Sequence, residues 1–344
     1  MSEIQQPNDN PVSQIIEELE KELVNLFESD RYKEYLDVMQ RFHNYSFNNS
    51  MLIYMQNPEA THVAGFDAWK RNFDRSVKKG EKGIKIIAPA PYKTKRKVPM
   101  MDTKTKQPVY DKKGNPVMEV AEITIPAFKV VSVFDVSQTE GKELPSITKE
   151  LTGTVEEYND FMKALQEISP VLITYGDTAK GVNGYYDLEE KKIVLRKNMS
   201  QMQTLKTAIH ELSHALIHDV VPTKEATSPL NRQTMEVQAE SIAYTVCKHF
   251  GFDTSDYSFG YIAGWSSGKN LDELKLSMTT IQKTASTIIR GVSDKLQLYQ
   301  IIDKKKQNTS QKAIAEKNSS YPSHSNYYNN TQKKPYNKST YKHH

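Results

Sequence analysis

With one cysteine, Cys247, the chain can build neither an intramolecular disulfide framework nor a cysteine-rich zinc site. Long apolar runs are missing too: none approaches the ~18 residues of a membrane span. The opening MSEIQQPNDNPVSQ has neither the basic start nor the apolar stretch of a secretory signal. A cytoplasmic protein without a membrane partner is therefore expected, and the Asn-x-Ser/Thr triplets of the tail carry no glycosylation meaning. There is no internal repeat. What is there is polar: 26% of residues are charged and 37% hydrophobic, over 344 residues, enough for two domains with a core each.

The net charge of +4 conceals an uneven distribution. Between Lys70 and Lys97 eleven Lys/Arg face only Asp74 and Glu81, a local +9. From Lys304 to His344 nine Lys face only Glu316, a local +8, which leaves −13 for everything else. Either segment alone could be a solvated basic face; together they point to a polyanionic partner, nucleic acid first.

Apolar spacing predicts helices over 13–28 and from Tyr32 to about His43. A third begins in NYSFNNSMLIYMQNP, with Ser46 or Asn48 as N-cap and Pro58 just past its end. GFDAWKRNF reads as a short helix, and VKKGEKGIKIIAP as a glycine-punctuated turn entering a strand. From Tyr92 to Pro145 the texture is β, with two strands expected around Pro126. SQTEGKELPSITKELTG is a linker. Beyond it come a helix (155–168), a strand (VLITYG), a hairpin (NGYYDLEEKKIVLR), a helix in the stretch 204–220, and helices over about 231–250, 255–267 and 271–301. The tail after Asp303 has almost no aliphatic residues and is expected to be disordered.

The chemistry concentrates in TLKTAIHELSHALIHDV. Residues four apart on a helix lie one above the other, about 6 Å apart. His210 and His214 can therefore converge on one cation, as His-Glu-x-x-His requires, and Glu211, rotated by about 100°, can act as base toward an attacking water. The competing reading is three histidines on a solvated helix. A zinc hydrolase needs a third protein ligand. His218 lies about 12 Å from His210 along the axis, too far for one tetrahedral ion unless the helix breaks, so it is expected to be dispensable; Asp219 has the same difficulty. Glu236 and Glu240 share a face of the next helix beside small Ala239 and Ala243. Glu236 is assigned to the metal, and Glu240 to the free N–H of a ligand histidine.

HELSHALIH followed by EVQAESIAY resembles the zincin-like metallopeptidase domain of the ImmA/IrrE group and of ArdC-type (LtrC-like) antirestriction proteins. That pattern implies the glutamate opening Glu-x-x-Ala, here Glu236, as third ligand. The hairpin GYYDLEEKKIVL also looks like theirs, where an edge strand aligns a peptide by β-addition.

YSFNNSMLIYMQNPEATHVAGFDAWKRNFDRSVKKGEKGIKIIAPA is similar to the ArdC-type N-terminal domain, which implies single-stranded DNA binding. The matching features are Tyr45-Ser46 with Asn48 or Asn49, Trp69, and the run from Val77 to Gly83. Physically, Gly80 and Gly83 would let backbone approach a phosphate, with Lys78, Lys79, Lys82 and Lys85 supplying charge. Trp69, Phe73 and Tyr92 could stack on bases, unless Trp69 is core. The resemblance spans residues 12–90 and 155–265.

The resulting expectation is an α+β, two-domain protein. Residues 1–145 form a DNA-binding module, 150–303 a zincin-like metallopeptidase domain, and 304–344 a disordered basic tail. By resemblance it serves a conjugative or other mobile element, protecting incoming DNA. Single-stranded DNA is its first partner and duplex DNA its second, both without strong sequence preference; zinc is the cofactor, and a protein or peptide the substrate. The alternatives are a non-proteolytic DNA-binding antirestriction protein with a structural zinc site, and an ImmA-like protease that cleaves a repressor.

Overall fold

The computed structural model describes residues 10–27, 30–144, 155–219 and 231–319. Met1–Leu296 form one compact unit and Gln297–His344 a second. The chain is α+β.

The N-terminal half opens with three helices, α1 (Pro11–Phe27), α2 (Arg31–Arg41) and α3 (Phe47–Gln56). Their spacing explains them. Ile15, Leu19, Leu23 and Leu26 bury one side of α1, and Tyr32, Tyr35, Leu36 and Met39 one side of α2. Ser46 caps α3, accepting from the Asn49 N–H at 3.4 Å. Strand β1 (Val63–Gly65), helix α4 (Phe66–Phe73) and strands β2 (Arg75–Val77), β3 (Ile84–Pro89), β4 (Tyr92–Pro99), β5 (Met118–Ile125), β6 (Phe128–Asp135) and β7 (Thr139–Gly141) follow. The two strands expected around Pro126 are β5 and β6. They belong to different sheets: β6 is the centre of β1-β6-β3, whereas β5 pairs with β4, in a ribbon that has two strands among the described residues and runs from Tyr92↔Ile125 to Pro99↔Met118.

The outer edge of β3 is closed by α3. Asn49 donates Nδ2 to the Ile87 carbonyl (2.8 Å) and accepts the Ile87 N–H (2.9 Å). Two turns further, Gln56 does the same to Lys85, at 2.9 and 2.8 Å. Side-chain amides thus satisfy the backbone groups that a fourth strand would otherwise take.

The second half carries α5 (Val155–Ile168), β8 (Leu172–Gly176), β9 (Gly184–Asp187), β10 (Lys192–Arg196), α6 (Gln201–Ile217), α7 (Arg232–His249), α8 (Ile262–Ser266) and α9 (Leu271–Ser319). Its sheet has the order β8-β10-β9, with β8 parallel and β9 antiparallel to β10, so the predicted hairpin forms and β9 is an edge strand. Ser200 caps α6, accepting from Gln203 N, and Asn231 caps α7, accepting from Thr234 N.

Two expectations are corrected. Only Ile262–Ser266 is helical where 255–267 was expected. Tyr257 and Phe259 are buried while Ser258 between them is exposed, an alternation that a helix cannot supply. Both aromatic rings pack against Tyr244 of α7, at 5.6 and 5.5 Å. Helix α9 does not stop near 301 but runs to Ser319, because the stretch past Asp303, rich in Lys, Gln and Ala, favours helix and has no glycine or proline. The expected disorder of the remaining tail lies outside the described residues, as does most of the linker. Among the described residues no helix is long and apolar enough to cross a membrane.

Helices α2 and α7 pack together across the two halves. Tyr32 Oη lies 2.8 Å from Ser241 Oγ, and Tyr244 Oη donates to Asp37 at 2.6 Å.

Candidate metal centre

Helix α6 presents His210 and His214 on successive turns, with their Nε2 atoms 3.1 Å apart. Glu236 on α7 brings Oε2 to 3.5 Å from His210 Nε2 and 3.8 Å from His214 Nε2. All three ligand atoms lie within 4.8 Å of one another. Atoms held about 2.0–2.1 Å from one tetrahedral ion would be about 3.4 Å apart, so the spacing fits.

The donor set fits as well. His210 Nδ1 lies 3.3 Å from Glu240 Oε2, the contact expected of Glu240. His214 Nδ1 lies 2.8 Å from His218 Nδ1, and His218 Nε2 lies 2.9 Å from Gln238 Oε1. An amide oxygen only accepts, so His218 carries its proton on Nε2 and accepts from His214 Nδ1–H. Gln238 in turn donates to Ser277 Oγ at 3.2 Å. With both Nδ1 atoms protonated, two Nε2 lone pairs and a carboxylate face one point, an arrangement that calls for a cation.

The electrostatics express the same conflict. Burial opposes protonation of His210, but the hydrogen bonds to Glu236 and Glu240 outweigh it and push His210 up to about 10. Burial, with the neighbouring His210 and His218, pushes His214 down to about 4. Glu236 is held below the usual carboxylate range, chiefly by its hydrogen bond to His210. Burial raises Glu211, whose carboxylate accepts the backbone N–H of Tyr186 on β9. The base thus sits beneath the edge strand.

His218 is the C-cap of α6 and is buried. The convergent ligand atoms do not include its own, yet it is not a bystander: the four-residue spacing that separates it from His214 makes it that residue's neighbour. Gln238, within EVQAE, has no sequence signal of its own. Asp219 is held by Tyr186 Oη (2.6 Å) and by Lys191, away from any ligand role.

The residues expected to meet DNA divide differently. Trp69 is fully buried, its Nε1 donating to the Phe134 carbonyl at 2.9 Å, so the indole is core and presents no face to a base. Asn49 is committed to β3 and Ser46 to capping α3; Asn48, half-buried, lies on α3. Gly80 holds a left-handed turn at φ 89°. Gly83 is needed for packing, since a Cβ there would meet Ser132 Cβ at 2.7 Å. Lys78 is exposed but donates to the Ser137 carbonyl at 2.9 Å. Lys79, Lys82 and Lys85 have exposed side chains. The sequence also left a cationic row unassigned: Lys93, Lys95 and Lys97 alternate along β4, all exposed, and therefore share one face of the ribbon. Lys93 pairs with Glu122 at 2.8 Å.

Residues 5–134 match the family "N-terminal domain of anti-restriction factor ArdC", and residues 131–241 match the "Putative metallopeptidase family (DUF6782)". An uncharacterized protein of Bacillus anthracis is 31% identical over 309 residues, 82% of this chain and 51% of the relative. The chain thus spans about half the length of that curated relative. Two crystal structures of the antirestriction ArdC protein from plasmid R388 are similar. The metal-free one, at 20% identity and TM-score 0.41, covers 74% of this chain and 84% of its own. The Mn(II)-bound one, at 18% and 0.45, covers 82% and 96%.

Proposed function

We propose that this chain, which is of the ArdC type and carries a metallopeptidase-like domain, is a zinc-dependent peptidase that protects the incoming DNA of a mobile element from restriction. The observation that carries the peptidase reading is the convergence of His210, His214 and Glu236, with Glu211 beside them under an edge strand. Two imidazoles and a carboxylate suit zinc. A divalent ion held there would supply Lewis acidity toward the scissile carbonyl and the attacking water. Glu211, whose burial raises its proton affinity, takes the proton from that water and passes it to the leaving nitrogen. Glu240 and His218 keep the Nδ1 protons of the two histidines in place, so that their Nε2 lone pairs face the ion. Along the outer edge of β9 an extended peptide can pair as a further strand.

Metal analysis of the purified chain tests this. About one zinc per chain is expected, falling in His210→Ala, His214→Ala and Glu236→Ala. Glu211→Gln should keep the metal and lose peptide cleavage. Full occupancy in Glu236→Ala would remove the third ligand from this account. A Glu211→Gln protein that still protects unmodified DNA in a restricting recipient would favour a non-proteolytic role.

The cationic row favours a second activity, binding of single-stranded DNA by the N-terminal half. Lys93, Lys95 and Lys97, about 6.6–6.8 Å apart along the strand, offer a flexible polyanion a track that reads no sequence. Each phosphate contact adds about −0.7 to the slope of log affinity against log salt. Replacing the three with glutamine in the full-length chain should therefore flatten that slope by up to about 2 on any oligonucleotide. An unchanged slope would move the partner elsewhere, the tail first.

A further inference from the structure

Beside the metal centre lies a cavity of about 250 Å³ that the mechanism above does not use. Asn183 and Gly184, at the start of β9, form one wall, and Gln203, Lys206 and Thr207, from the first turns of α6, another. Tyr257, Asp256 and Glu240 also line it, as do His210 and Glu211 of the metal centre. No aliphatic side chain of Leu, Ile, Val or Met lines it among the described residues.

We propose that this cavity is a specificity pocket for a carboxamide, so that the peptide preferred at the metal centre carries glutamine or asparagine beside the bond it presents. This rests on reading the centre as a peptide site. Lys206 is buried, with its Nζ 2.5 Å from Asp256 Oδ1 and 5.4 Å from the centre of the Tyr257 ring. An ammonium has three donors and Asp256 takes one, so Lys206 can still donate to an acceptor in the cavity. Gln203 donates Nε2 to Thr207 Oγ1 at 3.2 Å, which leaves its Oε1 to accept. One wall therefore donates and another accepts, the pairing that a primary amide completes.

Charge selects against the alternatives. Asp256 neutralises Lys206, and Glu211 and Glu240 also line the cavity, so an acidic side chain meets more repulsion than attraction. A basic side chain brings only donors and leaves the remaining Lys206 donors without an acceptor. An aliphatic one would leave the Lys206 and Gln203 groups without water or partner. Register brings the side chain to the pocket. Tyr186 donates its backbone N–H to Glu211, and Gly184, two residues earlier, has the same edge orientation and lies at the cavity wall. A Cβ at Gly184 would come within 2.6 Å of Thr207 Cγ2, so β9 lies this close to α6 only with glycine there. Alternate side chains of a peptide paired to this edge point the same way, and one of them falls at the cavity.

Dipeptide hydroxamates, which anchor on a bound metal ion without being turned over, test this on the zinc-loaded full-length chain by calorimetry. A series differing in one side chain, with glutamine, leucine, glutamate and lysine, is the probe. The glutamine compound should bind roughly tenfold or more tighter than the others. Lys206→Met and Gln203→Leu should each shrink that advantage severalfold, with zinc content as the control for folding. A leucine, glutamate or lysine compound equal to or tighter than glutamine overturns the pocket and leaves the metal site standing. If no compound binds the zinc-loaded protein, the reading of the centre as a peptide site falls with it.

Discussion

His218 shows how much of a site depends on one contact. Through its bond to His214 Nδ1 it fixes which nitrogen of a ligand remains a lone pair, and Gln238 and Ser277 fix His218 in turn. Losing such a partner typically costs about 10–100-fold in metal affinity. His218→Ala should therefore still bind zinc but release it to a competing chelator at about that factor lower affinity; an unchanged affinity would return His218 to the dispensable role its distance from His210 suggests. The sequence exposed His210, Glu211, His214, Glu236 and Glu240 because helical spacing alone places them. It hid Gln238, Tyr186 and Lys206, whose parts depend on which helix or strand faces them. Trp69 shows the converse: a tryptophan in a basic segment reads equally as base-stacking or core, and only the Phe134 carbonyl beside its Nε1 decides.

Among the elements, α3 does more than bury its apolar side. Its amides at positions 49 and 56 occupy the edge of β3, whereas the edge of β9 is met at the Tyr186 N–H by the Glu211 carboxylate of α6. Asn49→Leu leaves the Ile87 N–H and carbonyl without their partners and should cost about 1–3 kcal/mol. A thermal melt measures the loss, and light scattering should reveal self-association through the opened edge. An unaltered melt would mean that water replaces the amide at no cost. Helices α1, α2 and α6 were legible because their apolar positions recur at helical period, and β5 and β6 because Pro126 separates two alternating runs. The segment around Tyr257 was not, since its aromatics answer to Tyr244 and Tyr32 rather than to local periodicity.

Across the molecule, the two halves meet at His43, at the end of α2. Its ring lies 4.9 Å from that of His249 at the end of α7, and Gln282 of α9 donates to its carbonyl at 2.6 Å. Its Nδ1 has no hydrogen-bond partner among the described residues. Burial first, then the charges of His249 and Arg290, push His43 down from 6.5 to about 4. Above the unfolded value neither state is protonated and stability is complete. Below it the unfolded chain takes the proton first, so stability falls from about pH 6.5 down to about 4, by a total of roughly 3 kcal/mol. His249, lowered mainly by burial, acts in the same direction. Denaturant midpoints between about pH 7.5 and 5 should drop in the native chain and drop less in His43→Asn; equal slopes would place the acid sensitivity elsewhere.

Helix α7 has two allegiances. Glu236 and Glu240 look toward the metal centre, while Ser241 and Tyr244 grip Tyr32 and Asp37 of α2. This has a consequence for inheritance. A gene that acquired a new metal-binding half by recombination at the linker would also acquire a foreign surface for α2, with a tyrosine hydroxyl and an aspartate left facing strangers. The halves are thus poorly suited to be traded as cassettes. Positions 32 with 241, and 37 with 244, are expected to change in pairs along a lineage.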